Sequence, residues 1–285
     1  MRGSGNERAI EAQTESNRDA RSDIVPRGRS VSSRIIYEHP LNERIRTFLR
    51  LEHLFQQLDR YLPGEDAWAS RATLGGLLDV VNVFARGDVK SEILKELDRH
   101  NKTLSNIRQK PGVNLERLGD ILDQLDSLSG RVYGLSGQLG KELRDNSFLK
   151  NIMHRSSIPG GNCAFDLPMY HYWLQQPYEA RLRDLERWMT EFGPIRESVV
   201  LILQLIRTST HPTRECAEKG FFHQPLDTQL PVQLVRVTVG ADLPYFAEIS
   251  GGKHRFTVRF MSASEYDRPV QTDEDVGFQL TACVI

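Results

Sequence analysis

The chain has 285 residues, 39% hydrophobic and 26% charged, with a formal charge of only -1. That length and apolar content suffice for a buried core in one large domain or two. The near-zero charge argues against a general nucleic-acid binder, which needs an excess of Lys and Arg to displace counterions. The three cysteines, Cys163, Cys216 and Cys283, are far apart and odd in number. They indicate neither a disulfide framework nor a zinc ligand set, and they fit a reducing cytoplasm. The longest strongly apolar run, Val199 to Ile206, is too short to span a bilayer and is broken by Gln204.

Residues 1–33 are rich in Arg, Ser, Asn, Asp and Glu and lack the apolar core of a signal peptide. Such a segment cannot bury enough surface to offset its ordering entropy, so it is expected to be disordered. "MRGSG" and "VPRG" match cloning-leader or protease-site fragments, the alternative being an early start codon or a variable extension.

From Pro40 the hydrophobic period becomes helical. Leu41, Ile45, Phe48, Phe55 and Leu58 follow i, i+4, i+7 spacing up to Pro63-Gly64. Leu74, Leu77, Leu78, Val81 and Phe84 predict a second helix capped near Gly87. Asp88 is placed to start a third, which presents Ile93, Leu94, Leu97, Leu104 and Ile107 before Pro111-Gly112. The stripe Leu115, Leu118, Ile121, Leu122, Leu125 and Leu128 covers about two heptads, which favours intramolecular packing over a coiled coil. A single helix is expected around Leu139 to Met153. After the "SSIPGG" break, Asp166 and Pro168 read as an N-cap and a first-turn proline. Helices follow to about Thr208, the last apolar on nearly every side and therefore buried.

After about Phe221 the period becomes two. In "HRFTVRFM" Phe256, Val258 and Phe260 share one face, while Arg255, Thr257 and Arg259 share the other. Helices followed by strands give an α+β chain, with a helical domain over residues 34–218 and an antiparallel β-domain over residues 219–285 packed on it.

Catalytic readings find little support. Cys163, Asp166 and His171 are close in sequence, but a nucleophile, base and orienter are recognised by geometry, and a structural cysteine with a capping aspartate explains them. "SGGKH" lacks the arrangement of a phosphate-binding loop. The arginines are more informative. "YEHPLNERIRTFLRLEHLF" holds three arginines and two histidines on an amphipathic helix. Arg46 and Arg50 lie one turn apart on one face, where like charges oppose each other unless an anion bridges them, although Glu43 is also placed to pair with Arg46. Lys253, Arg255 and Arg259 share strand parity and need counter-charge, either from neighbouring strands or from a partner.

Four blocks, "YEHPLNERIRTFLRLEHLFQQL", "LLDVVNVFARGDVKSEILKELDRH", "SIPGGNCAFDLPMYHYWL" and "ISGGKHRFTVRF", resemble the ZapD family of bacterial cell-division proteins, in order and with similar spacing. The likeness runs from about Tyr37 through the final strand. It implies a helical and a β-domain paired into a symmetric homodimer, with no enzymatic activity and no cofactor. It also implies binding of the C-terminal tail of the tubulin-like division GTPase FtsZ and bundling of its filaments in the cytoplasm at the mid-cell division site. The binding region so implied is a positively charged pocket between the domains. By motif, Arg50 and His171 fall on pocket positions, and Arg86, Arg255 and Arg259 on further basic positions. Where the family pattern has an arginine before the "IPGG" loop this chain has Ser147, and Arg144, one turn earlier, is the candidate substitute. With Arg46 and Lys253, these residues form the expected partner-binding set. The competing reading is a nucleic-acid-binding regulator that uses the same basic patch.

Overall fold

The helical period beyond Pro40 produces α1 (Glu43–Tyr61), whose start is fixed by the Asn42 side chain accepting from the Ile45 amide. A computed structural model describes residues 34–227, 229–262 and 268–284, so the expectations for residues 1–33 lie outside the described residues. Asp66 caps α2 (Ala67–Ala85) by accepting from the Trp68 and Ala69 amides. Asp88 starts α3 (Val89–Asn106) by accepting from Ser91, as the sequence indicates. A side-chain oxygen in each case satisfies an amide that the first helical turn leaves without a partner. In α4 (Leu115–Tyr133) Leu118, Leu125 and Leu128 are buried within the chain.

Two expectations change between α4 and the last helices. The helix expected near Leu139–Met153 is two helices, α5 (Lys141–Asp145) and α6 (Ser147–Ser156). Asn146 between them is extended, and its side chain accepts from the Leu149 amide; short polar side chains favour this local bond over an uninterrupted helix. Asp166 does not cap α7 (Pro168–Leu174). Leu167 occupies that position, and Asp166 lies 3.7 Å from Arg155 instead. Then come α8 (Tyr178–Met189), a 3₁₀ turn (Thr190–Phe192) and α9 (Gly193–Thr208). Much of α9 is buried, as its composition indicates, although Val200 remains exposed.

The strands form two antiparallel sheets. The first has the order β1 (Arg34–Pro40), β4 (Val232–Gly240), β8 (Val276–Val284), β2 (Thr213–Ala217). In the second, β3 (Phe221–Pro225), β6 (Arg255–Ser262) and β5 (Tyr245–Gly251) lie in that order, and β7 (Val270–Gln271) pairs with the end of β6. Strand structure thus begins before the helices. Residues 34–40 and 213–217, which the sequence reading grouped with the helical segment, belong to the first sheet. The α+β class is as the periodicity indicates.

The pleat decides what each face of the first sheet meets. Val235, Val237 and Val239 of β4 join Phe256, Val258 and Phe260 of β6 in one core between the sheets. Leu234 and Cys283 project the other way and join the helical core. Helices, first sheet and second sheet are therefore stacked layers, and β1 leads directly from the sheet into α1. That corner sets the position of the site.

Candidate functional site

Helices α1 and α2 are joined by only residues 62–66, so they pack antiparallel as a helical hairpin. Their inner faces bury Phe48, Leu51 and Leu58 against Leu74, Leu77 and Val81. Where they diverge, near the start of α1 and the end of α2, they leave a cleft of about 780 Å³. Arg46, Arg50 and His53 line it from α1, at i, i+4 and i+7, which is one helix face. Asp79, Asn82, Val83 and Arg86 line it from α2. Leu49, Leu54 and Val83 give it an apolar surface, and Pro40 closes the end that abuts the sheet.

The cations of this cleft differ in their internal partners. Arg46 Nε donates to Glu43 Oε1 at 3.1 Å, an exposed pair within one turn of helix. Such a pair contributes little, so an incoming anion can displace it. The Arg50 and Arg86 side chains make no hydrogen bond or ion pair with any described residue and are exposed. Arg44, two residues before the first cleft arginine of α1, points elsewhere and binds Glu92, at 2.5 Å, and Glu96 on α3. The electrostatic imprint is visible on His39. Burial first, and then the charge of Arg46, lower its pKa, while the Gly251 backbone partly opposes them.

The turn between β5 and β6 borders the same corner. A Cβ added to Gly251 would stand 2.8 Å from Leu41 Cδ2 and 2.9 Å from Phe256 Cβ, so only glycine permits so close an approach. Lys253 and Arg255 follow at once, and both are exposed with no ion partner among the described residues. Arg259 is also exposed, but it lies opposite Glu248 and Phe221 in the sheet, about 13 Å further along the strand.

The structure therefore brings together Arg46, Arg50 and Arg86, with Lys253 and Arg255 at the neighbouring turn. It does not bring His171, Arg144 or Arg259 into that cleft. His171 is exposed on α7, whose Tyr170 ring stacks against Arg71 near the start of α2. Arg71 and Arg86 are separated by about 22 Å of helix. Arg144 Nη1 donates to the Leu139 carbonyl at 3.1 Å, and its charge faces Glu191. Ser147 is the exposed first residue of α6. Motif matching assigns a residue to an element; it does not say which elements adjoin. The cleft residues missed in the sequence are His53 and Asp79. His53 follows Arg46 and Arg50 on the same helical face, and Asp79 precedes Arg86 by seven residues on one face of α2, so the helical period was the available signal.

Cys163, Asp166 and His171 form no constellation. No side-chain hydrogen bond joins them, and Cys163 is exposed on its loop. Among the described residues no group of three His, Cys, Asp or Glu side chains is placed to hold a metal, and no helix is long and apolar enough to cross a membrane.

The α+β chain thus presents a solvent-open cleft lined by arginines and an apolar wall. Residues 49–259 match the family model described as "ZapD: Cell division protein". The chain is 45% identical over 255 residues to Cell division protein ZapD of Methylococcus capsulatus, covering 90% of this chain and all of that one. The proteins of the same name from Ralstonia nicotianae and Ralstonia pickettii are each 38% identical over 250 residues, covering 87% of this chain and 99% of theirs. The chain belongs to the ZapD family of cell-division proteins.

Proposed function

We propose that the α1–α2 cleft receives the acidic C-terminal tail of FtsZ, and that a homodimer of the chain crosslinks FtsZ filaments to support Z-ring assembly at mid-cell. The observation that carries this reading is the convergence of Arg46, Arg50 and Arg86 on one cleft, with Arg50 and Arg86 lacking internal counter-charge. A guanidinium fork grips a carboxylate with two parallel bonds, which suits arginine to an acidic peptide. Each exposed contact contributes only about 0–1 kcal/mol, so several are needed, together with apolar contacts to Leu49, Leu54 and Val83. A weak, salt-sensitive contact suits a crosslinker. A dimer offers two clefts and a filament offers many tails, so avidity amplifies a modest affinity while single contacts exchange. A nucleic-acid partner fits less well, because the chain as a whole has no excess of positive charge.

The test is co-sedimentation with FtsZ polymers, with and without the FtsZ C-terminal tail, over a salt series. Arg50→Glu is expected to abolish bundling in a chain that keeps its circular dichroism spectrum and melting temperature. Bundling that persists without the tail, or with a folded Arg50→Glu chain, refutes the assignment.

A further inference from the structure

The cleft is not uniformly basic. Asp79 lines it from α2, about 10 Å along the helix axis from Arg86 and on the same face. Its carboxylate has no hydrogen bond or ion pair with any described residue. Burial moves its pKa upward, and no arginine of the cleft draws it down. Because α1 runs antiparallel to α2, the ends differ in sign. Arg46, Arg50 and Arg86 gather beside Pro40 and the sheet, whereas Asp79 stands further down the groove. A ligand bearing only negative charge would meet the exposed Asp79 carboxylate as a local repulsion, because Asp79 has no ion partner among the described residues.

We propose that the cleft is a bipolar receptor, which selects a peptide carrying one basic side chain about three residues from a carboxylate, with an apolar residue between them. The spacing follows from the geometry. The distance of about 10 Å between the Asp79 and Arg86 positions matches three residues of extended chain at about 3.3 Å each. The intervening apolar side chain meets Val83, which lies between them on α2, and Leu49 and Leu54 from α1. Asp79 is then a specificity residue: it contributes by opposite charge and rejects wholly acidic segments. This rests on the reading of the cleft as the tail-binding site and adds a requirement to it.

The sign of one substitution decides the matter. Two synthetic twelve-residue peptides are compared by fluorescence anisotropy, both with two aspartates and one leucine. One carries an arginine three residues from the nearer aspartate, and the other glutamine there. The natural chain is expected to bind the arginine peptide about three- to five-fold more tightly, the range for one partly exposed charge pair. Asp79→Asn is expected to weaken the arginine peptide by a similar factor and to leave the glutamine peptide unchanged or bound more tightly. Equal effects on both peptides, or tighter binding of both by Asp79→Asn, overturn the proposal. Arg50→Glu separates the two readings. If it abolishes peptide binding while the Asp79 coupling is absent, only the bipolar requirement falls. If it leaves binding unchanged, the cleft assignment falls with it. Circular dichroism of each variant establishes that the hairpin is folded.

Discussion

Arg207, near the end of α9, grips Glu38 of β1 through two parallel hydrogen bonds, 2.8 Å from Nε and 2.7 Å from Nη2. The same guanidinium reaches Glu52 of α1 at 2.6 and 2.7 Å, and Arg236 of β4 completes the network on Glu38 at 2.8 Å. Side chains from the bundle's last helix, its first helix and two strands thus meet in one network. All four are mostly shielded from water, so the pairing is stronger than on a surface, and an unpaired member is costly.

Removing Arg207 leaves the partly buried Glu52 without its partner and Glu38 with Arg236 alone. Arg207→Ala is expected to destabilise the chain by about 3 kcal/mol, the lower end for a broken buried pair because some solvent reaches it. In a chain of this size that corresponds to a fall of roughly 6–12 °C in melting temperature, readable by calorimetry. A change of under about 2 °C would show that the network contributes nothing net.

Arg181 of α8 is another charge inside the fold, and it is paired with no acid among the described residues. Its Nε donates to the Gln176 carbonyl at 3.0 Å, Nη1 to the Asp66 carbonyl at 3.1 Å and Ser70 Oγ at 2.5 Å, and Nη2 to the Glu65 carbonyl at 2.6 Å. The fork therefore satisfies the turn that joins α1 to α2. Arg181→Met strands those carbonyls and is expected to cost about 3 kcal/mol, with Arg181→Lys recovering part of the loss because an ammonium reaches fewer of them at once. Chemical denaturation of the two variants gives the order, and a methionine variant as stable as the lysine variant contradicts it.

The contrast between these residues and the cleft explains what was legible in the sequence. Ile45, Phe48, Leu51, Phe55 and Leu58 declare α1 by spacing alone, and the change of period after Phe221 declares the sheets. β1 was missed because its evidence is distant: Tyr37 pairs with Val237 and Glu38 with Arg236, roughly two hundred residues away. No local pattern announces such a pairing. The sequence analysis singles out neither Arg207 nor Arg181 for the same reason, since their partners come from other elements. In the cleft, Arg46 and Arg50 were visible as an unbalanced pair on one helix. The helical period puts Asp79 on the face of Arg86, but the groove that this face lines is set by the packing of α2 on α1.

His100 of α3 is fully buried, with Glu96 Oε2 3.7 Å and Arg99 Nη2 3.4 Å from its Nε2, while Arg44 holds Glu96 from α1. Burial first, then Arg99, push its pKa down to about 4, against the opposing pull of Glu96. The unfolded histidine titrates near 6.5, so between about pH 6.5 and 4 the unfolded chain binds the extra proton. The contribution is fully present above pH 6.5 and is lost as pH falls, at about 1.4 kcal/mol per pH unit, to a total of roughly 3 kcal/mol. Glu96 acts in the same sense, because Arg99 and Arg44 overcome its burial and hold its pKa below the usual range. Urea denaturation at pH 7 and pH 5 is expected to show the loss, and His100→Gln to flatten it. An unchanged slope in that variant assigns the pH dependence to other groups.

The extent of the binding surface is the remaining question, and the two sheet positions divide it. Lys253 and Arg255 follow Gly251, which approaches Leu41, the neighbour of the cleft-lining Pro40, whereas Arg259 lies about 13 Å further along β6. At physiological salt a charge acts over about 8 Å before screening dominates. Reversing both Lys253 and Arg255 to Glu is therefore expected to weaken capture of the FtsZ tail peptide about ten-fold at low salt, and less at high salt. At physiological salt Arg259→Glu is expected to change it by less than about two-fold, because Arg259 is beyond that range and faces Glu248 across the sheet. Surface-captured peptide, titrated with each variant at two salt concentrations, gives both numbers. An Arg259→Glu loss equal to that of the double reversal would extend the binding surface along the whole outer face of the second sheet and leave the cleft as one part of it.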